Sequence, residues 1–332
     1  MMYLFTHTDL DGVGSAAVYL ILKGKRLGDS GISVTYSEPY NIHQRMMDYI
    51  PYIEKQDRVV VSDIGINPKI YVELRDVLRK VLERNATIEW YDHHKWSDKW
   101  INEFTKLRID LHVDTSTCAT GVVARYAKPE IWINGEIKKT VEELVYSVCA
   151  ADLWKWDHYL APRLFRIVTL NGSQGEIRRN MVLRKFTDQK IWDNELEELL
   201  EDYVNVELKN YSKLDKGLVR MCSKNCCLGL TVKNRGPPTN SFVGAYVLSR
   251  FNVDMACIAK SNGSLSLRSR KVDVQKVALA LGGGGHSRAA GAKIDLSTID
   301  VLLFNFYPRL FLRRIGRKIL KIAESSQACD VQ

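Results

Sequence analysis

At 332 residues, 45% hydrophobic and 26% charged, the sequence has the composition of a soluble globular protein and is too long for one ordinary core, which predicts two domains. No run approaches the roughly 18 apolar residues of a membrane span, and the start lacks the basic segment of a signal peptide, so a cytoplasmic protein with no membrane partner is expected. The net charge of +9 is divided unequally: residues 205–332 hold 21 Lys and Arg against 8 Asp and Glu, whereas residues 1–204 hold 27 against 31. An acidic half suits cations and a basic half suits a polyanion, although a solvated basic surface explains the charge alone equally well. The seven cysteines show no CxxC spacing and are expected to be free thiols in a reducing compartment.

Residues 2–6 form an apolar first strand. His7, Asp9 and Asp11 follow at alternate positions, so in extended chain their side chains project to one side. Gly12 lets the backbone turn, and residues 15–22 continue as a buried helix, the opening of an α/β sheet. Either aspartate can cap that helix, but two crowded carboxylates repel unless a cation sits between them. Residues 32–36 are the second strand and 43–53 an amphipathic helix. Residues 58–62 are a third strand, whose valines suit a parallel sheet buried on both faces, and Asp63 stands where it ends. Pro68 starts a helix with apolar positions Ile70, Leu74, Val77, Leu78, Val81 and Leu82.

The apolar stretch 87–90 delivers Tyr91-Asp92-His93-His94. A carboxylate beside two imidazoles at a strand's C-terminal edge offers a metal ligand, an orienting group and a phosphate donor within one turn of chain. Sites of open α/β sheets lie at that edge, where His7, Asp63 and Asp92 all fall. Residues 108–113 are a further strand, and Asp114-Thr115-Ser116-Thr117 is a run of N-cap formers before a helix over 119–127. A helix from about residue 140 delivers Asp152 near its end, with Asp157 as the rival for the same role. Residues 188–221 are charged, with apolar positions at helical intervals, which predicts a long connecting helix.

The second domain opens near Cys226 with a strand over 228–232 and a helix over 241–250. Residues 255–259 and 264–268 pair as a hairpin around Asn262-Gly263. A helix over 274–281 leads into Gly282-Gly283-Gly284-Gly285-His286, a run that can bring backbone amides against a phosphate. Residues 301–322 carry Arg309, Arg313, Arg314, Arg317, Lys318 and Lys321 with no acid; a solvated helix face is read there in preference to a nucleic-acid surface.

Taken in order, His7-Thr8-Asp9-Leu10-Asp11-Gly12, Asp63, Asp92-His93-His94 and Asp152 resemble the four motifs of the DHH phosphoesterase superfamily. Ser266-Leu267-Arg268-Ser269, followed by the glycine run and His286-Ser287-Arg288-Ala289-Ala290-Gly291, resembles the signature of its associated C-terminal domain in the nanoRNase and RecJ-type exonuclease branch. The resemblance implies an α/β protein with a doubly wound, mainly parallel sheet domain, a long connecting helix, and a smaller α/β domain with a mixed sheet. The corresponding division is 1–185 for catalysis, 186–224 for the connection and 225–332 for substrate binding. It also implies two divalent cations, roughly 3.5–4 Å apart, able to activate a water and clamp an in-line displacement at phosphorus. His7, Asp9 and Asp63 would hold one, and Asp11, Asp63, His93 and Asp152 the other, with Asp63 bridging. Asp92 would orient a histidine and His94 would face the substrate phosphate, as the catalytic pair. Arg268, Gly283, Gly284, Gly285 and His286 would form the phosphate and terminal-nucleotide pocket. Oxygen and imidazole ligands without thiolate suit Mn²⁺ first, then Mg²⁺ or Co²⁺.

The activity implied is hydrolysis of short oligonucleotides or single-stranded RNA or DNA to nucleoside monophosphates. A compact end-gripping pocket favours oligomers of about two to five nucleotides, with weak salt dependence because few counterions are displaced. Rivals within the class are a 3′-phosphoadenosine 5′-phosphate phosphatase and a cyclic or linear dinucleotide phosphodiesterase. A rival of another class is a non-catalytic nucleic-acid-binding or replisome-associated subunit, against which stands the occupation of every ligand position. A homodimer is left open.

Overall fold

Five short strands, each followed by a helix, make up the first 126 residues in the computed structural model, which describes residues 1–169, 173–233 and 236–329. They are β1 (Met2–His7), β2 (Ile32–Ser37), β3 (Arg58–Ser62), β4 (Thr87–Asp92) and β5 (Asp110–Val113), alternating with α1 (Leu10–Leu22), α2 (Ile42–Met47), α3 (Tyr71–Glu83), α4 (Asp98–Lys106) and α5 (Ala119–Tyr126). All pair in parallel in the order β2-β1-β3-β4-β5, which brings every C-terminal strand end to one edge. The strand order reverses between β1 and β3, the crevice where open α/β sheets bind ligands. One face packs Phe5, Val59, Val61, Ile88 and Trp90 against Leu74, Val77, Leu78 and Val81 of α3. α1 is buried along its whole length, with Asp11 its one charged residue. α6 (Gly135–Asp152), α7 (Ala161–Val168) and α8 (Ser173–Thr187) follow; the last two are unassigned in the sequence reading.

Several boundaries move for local reasons. α1 begins at Leu10 rather than residue 15, because Asp9 caps it by accepting from the Gly12 amide at 3.0 Å. Gly12 therefore serves closeness rather than a turn: a Cβ there would lie 2.2 Å from the His7 carbonyl oxygen. The helix expected over 43–53 stops at Met47, and a separate short turn, Ile50–Tyr52, is built around Pro51. α9 (Asn194–Gly217) ends before residue 221, since Val219–Cys222 alternates buried and exposed positions and forms strand β6.

Compactness divides the chain into Met1–Leu200 and Glu201–Gln332. The second unit adds β7 (Cys227–Val232), α10 (Asn240–Arg250), β8 (Met255–Ala259), β9 (Ser264–Ser269), α11 (Val274–Ala280), β10 (Gly284–Gly285), β11 (Ala289–Lys293), α12 (Thr298–Phe306) and α13 (Pro308–Ser325). Its strands run β10-β11-β9-β8-β7-β6, antiparallel except for the β7–β8 pair, which is the mixed sheet the resemblance implies. Leu228, Leu230, Leu265 and Leu267 pack with Phe311, Leu312 and Ile315 of α13 on one face, and Ala256 and Ile258 pack with Val243 and Val247 of α10 on the other. The segment 301–322 is broken at Pro308, which cannot continue α12 but starts α13 without loss.

The expectation of free thiols is overturned for six of the seven cysteines. Disulfides join Cys118 to Cys149, Cys222 to Cys227 and Cys226 to Cys329, leaving Cys257 free and buried. Pairs 31 and 103 residues apart leave no local spacing to read. Disulfides accord with an oxidising compartment or with an intracellular protein of a hyperthermophile, so the cysteines no longer argue for reducing surroundings. No helix among the described residues is long and apolar enough to cross a membrane.

Candidate metal centre and phosphate pocket

Each strand end at the switch point contributes one polar side chain to a single cluster. His7 closes β1, and its Nδ1 lies 2.9 Å from Asp9 Oδ2 and 3.4 Å from Asp63 Oδ2. Asp63 follows β3 in the left-handed region, at φ +58°, and is 2% exposed. Its amide donates to the Tyr91 carbonyl, which fixes the strained residue against β4. The second carboxylate oxygen of Asp63, Oδ1, lies 3.4 Å from Nε2 of His93. That same nitrogen is 3.7 Å from Asp11 Oδ2 and 3.6 Å from Asp152 Oδ2. Asp63 therefore presents one oxygen to the His7–Asp9 pair and the other to the His93–Asp11–Asp152 group. Both groupings have the compactness of metal-ligand sets, as does Asp63 with His93 and His94. Asp157 is exposed and belongs to none of these groups; its carbonyl accepts from the Tyr146 hydroxyl.

Asp11 has a second duty that spacing does not disclose. Its carboxylate accepts from the Ala119 and Thr120 amides at 2.7 and 2.8 Å and from the Thr120 hydroxyl at 2.7 Å, capping α5 from 108 residues away. A carboxylate has about four lone-pair sites, so these bonds orient it and leave capacity for a cation. Asp92, fully buried at the end of β4, accepts from Trp96 Nε1 at 2.6 Å and pairs with His94 Nδ1 at 2.8 Å. The histidine it orients is thus His94, whose ring remains 41% exposed.

Glu38 is the residue that the sequence reading missed. It follows β2, the strand paired with β1, and its Oε2 lies 3.3 Å from His7 Nε2 while Oε1 accepts from the Thr8 hydroxyl at 2.5 Å. A carboxylate on the far ring nitrogen fixes the imidazole's orientation and raises its basicity. An acid just beyond a strand's C-terminal end is the same signal that singles out Asp63. Glu38→Gln is expected to weaken Mn²⁺ binding roughly tenfold, read by calorimetric titration, with the fold retained. Unchanged affinity would make Glu38 a bystander.

The electrostatics of the cluster call for a cation. Burial, then the charges of Asp9 and Asp11, push Asp63 well above the usual carboxylate range. Burial and the charges of Asp11, Asp63 and Asp9 push Asp152 up to about 9. Asp11 is also raised, by burial first and by Asp9, against the opposing pull of His93. Burial disfavours the charged form of His7, but Asp9, Asp63 and Glu38 outweigh it and lift its pKa well above normal. The Oδ2 atoms of Asp63 and Asp152 are buried without a hydrogen-bond partner. Protons on this cluster stand in for positive charge, and carboxylate and imidazole donors without thiolate fit a hard or borderline divalent ion.

A pH dependence follows. The unfolded chain releases its carboxyl protons near pH 4, whereas the folded, metal-free cluster retains some up to about 9. The folded state binds more protons across that window, so metal-free stability falls as pH rises. Asp9 and Glu38 are shifted downward and titrate below the window, so they do not reverse the sign. The melting temperature of EDTA-treated protein should therefore decline from pH 5 to pH 9, while the increment gained with Mn²⁺ grows. A metal-free melting temperature that rises over this range would contradict the assignment.

In the second unit Arg268 projects from β9 towards α10. Its Nη2 donates to Ser241 Oγ at 3.1 Å, and its stem packs so closely on Gly244 that a Cβ there would lie 2.5 Å from Arg268 Cγ. Burial lowers its pKa, and no carboxylate among the described residues pairs with it. The glycine run is shaped chiefly by packing. The amides of Gly282 and Gly283 close α11 on Leu279 and Ala278, and Cβ atoms at Gly283 and Gly285 would strike β11 at 2.1 and 2.5 Å. Gly284 and Gly285 pair with Gly291 and Ala290, and His286 opens an exposed turn closed by Ala289. The Gly283 amide, donating to Ala278, is not directed at a ligand.

Comparison with known proteins agrees with this arrangement. The family described as the DHH family, N-terminal domain, matches residues 1–150, and the DHHA1 domain matches residues 239–305. Oligoribonuclease NrnB of Bacillus subtilis (strain 168) is 24% identical over 312 residues, covering 89% of this chain and 73% of the relative. Among solved structures, an exopolyphosphatase-related protein from Bacteroides fragilis superposes with a TM-score of 0.55 at 15% identity, over 96% of this chain and 93% of the other. The exonuclease RecJ bound to manganese gives a TM-score of 0.52 at 18% identity, over 95% and 90%.

Proposed function

We propose that this chain, which belongs to the DHH phosphoesterase superfamily and carries its associated C-terminal domain, is a metal-dependent phosphodiesterase releasing nucleoside monophosphates from short oligonucleotides or single-stranded nucleic acid. The observation that carries this reading is the placement of Asp63 between two ligand groups, one oxygen 3.4 Å from His7 Nδ1 and the other 3.4 Å from His93 Nε2. The names of its relatives, an oligoribonuclease and an exonuclease, support the substrate class. The substrate's natural setting favours a cytoplasmic enzyme.

In this reading His7, Asp9 and Asp63 hold one divalent ion and Asp11, Asp63, His93 and Asp152 a second, with Mn²⁺ the best match to the donors. Two such ions, when bound, lower the pKa of an attacking water and neutralise charge on the phosphoryl oxygens. The protein's own groups do the rest. Asp92 holds Nδ1 of His94, which leaves Nε2 to donate to a phosphate oxygen. Burial opposes a charged His94, but Asp92 outweighs it and raises the pKa, so the ring carries its proton at higher pH than an ordinary histidine. Arg268, with no carboxylate partner among the described residues, supplies a guanidinium for the phosphate of the terminal nucleotide, with exposed His286 beside the same strand pair. Residues 1–185 would thus carry the chemistry and 225–332 the grip on substrate, joined through 186–224.

Incubation with Mn²⁺ and end-labelled RNA and DNA from dinucleotide upward tests the proposal. Release of nucleoside monophosphates, lost with EDTA and restored by Mn²⁺, is expected. Turnover of 3′-phosphoadenosine 5′-phosphate alone, with every oligonucleotide left intact, would replace this reading by a phosphatase.

A further inference from the structure

We propose that the exposed face of α13 is a second, non-catalytic site for single-stranded nucleic acid. It rests on the phosphodiesterase reading and extends it to strands longer than the end pocket holds. The apolar side of α13, with Phe311, Leu312, Ile315 and Ile319, is buried in the core of its unit. Its other side exposes Arg309, Arg313, Arg317 and Lys321 at four-residue intervals, and Arg314 and Lys318 in the adjoining row. Four-residue steps place neighbouring cations about 6 Å apart along the axis, a repeat that successive phosphates of an extended strand can follow.

An ordinary solvated helix intersperses acids with its bases, whereas like charges at four-residue spacing repel. Here Arg314 alone of these six has a carboxylate partner among the described residues, Asp300 at 3.1 Å. Arg309 donates instead to the Lys216 carbonyl, and Arg313, Arg317 and Lys321 form no ion pair with a described residue. The second observation is aromatic. Phe306 and Tyr307, 71% and 62% exposed, stand at the start of this ridge. Sequence-tolerant binding of single strands combines such a track of cations with exposed rings on which bases stack. The ridge also begins beyond residue 305, where the match to the DHHA1 domain ends, so it is separate from the segment holding Arg268 and His286. This reverses the solvated-face reading of 301–322 and confines the expected weak salt dependence to short oligomers, which the ridge does not engage.

The test uses the full-length protein in EDTA and a fluorescein-labelled oligo(U) of about 20 nucleotides, followed by anisotropy across a salt series. In R313Q/R317Q/K321Q, binding at low salt should weaken at least tenfold. The slope of log affinity against log salt should shrink by about 2, since each lost phosphate contact on a single strand is worth roughly 0.7. In F306S/Y307S, affinity should fall while the slope stays. Hydrolysis of a dinucleotide by the triple variant in Mn²⁺ should match the parent, and circular dichroism should show the helix intact. Parent-like oligo(U) affinity and slope in the triple variant would overturn the proposal. So would ridge-dependent binding to phosphatidylserine vesicles with no binding to oligo(U), which would make the exposed Ile299 and Leu302 of α12 part of a lipid-facing surface. Ridge-dependent oligo(U) binding in a protein that cleaves no oligonucleotide would instead sink the phosphodiesterase reading and leave this site standing.

Discussion

Asp63→Asn should abolish hydrolysis while leaving a folded protein. The substitution keeps the side chain's shape, and asparagine tolerates the left-handed φ of +58° that this position requires. It removes a buried carboxylate that is itself destabilised by burial and by Asp9 and Asp11 and whose charge helps push Asp152 up, so the metal-free variant should melt no lower than the parent at pH 8. What it loses is the negative oxygen facing each ligand group, 3.4 Å from His7 on one side and 3.4 Å from His93 on the other. Charge stabilisation by such a centre is worth several kcal/mol, which corresponds to a loss on the order of 10³-fold or more in kcat. The rise in melting temperature on adding Mn²⁺ should shrink in parallel, because a ligand stabilises only in proportion to its affinity for the native state. A variant that keeps near-parental turnover and the full Mn²⁺-induced rise would remove Asp63 from the centre.

What the sequence discloses and what it hides have physical reasons. Strands over 2–6 and 58–62 are legible because apolar and β-branched residues dominate them, as a parallel sheet buried on both faces demands, and the half-buried edge strand over 32–36 because Ile32, Val34 and Tyr36 alternate with Ser33 and Thr35. The rule that sites sit at C-terminal strand ends then points to His7, Asp63 and Asp92, which the structure places along one edge. The same rule applied to β2 would have found Glu38. Asp11's bonds to α5 are beyond such reasoning, because they join residues 108 and 109 apart through packing that no periodicity records. Two of the three disulfides, which join residues 31 and 103 apart, are hidden for the same reason. In the glycine run a sequence shows only that side chains are absent; whether a ligand or a neighbouring strand fills the space is a tertiary fact, and at Gly283 and Gly285 it is β11. β6 was concealed by its place directly after a long helix, where Val219 and Met221 fit a helical stripe and an alternating strand equally well.

Arg268→Ala should separate binding from chemistry. The guanidinium is half-buried on β9, held by Ser241 and by its own strand's Leu267 carbonyl, with no carboxylate among the described residues to neutralise it. Burial already lowers its pKa, which shows that the charged form lies in a poorly solvated place. A cation so placed gains most from an anion that arrives with the substrate. One charge-assisted contact to phosphate is worth on the order of 1.5–3 kcal/mol, so kcat/KM on oligonucleotides should fall roughly tenfold to hundredfold. If the contact is equally strong in the ground and transition states, the loss appears in KM; any fall in kcat reports a contact that strengthens as the phosphate reacts. Arg268→Lys keeps the charge but loses the planar fork, and should recover only part of the loss. Mn²⁺ affinity should be unchanged in both variants, which distinguishes this prediction from damage to the metal centre. An unaltered kcat/KM in Arg268→Ala would assign the guanidinium to packing against Gly244 and move the phosphate grip elsewhere.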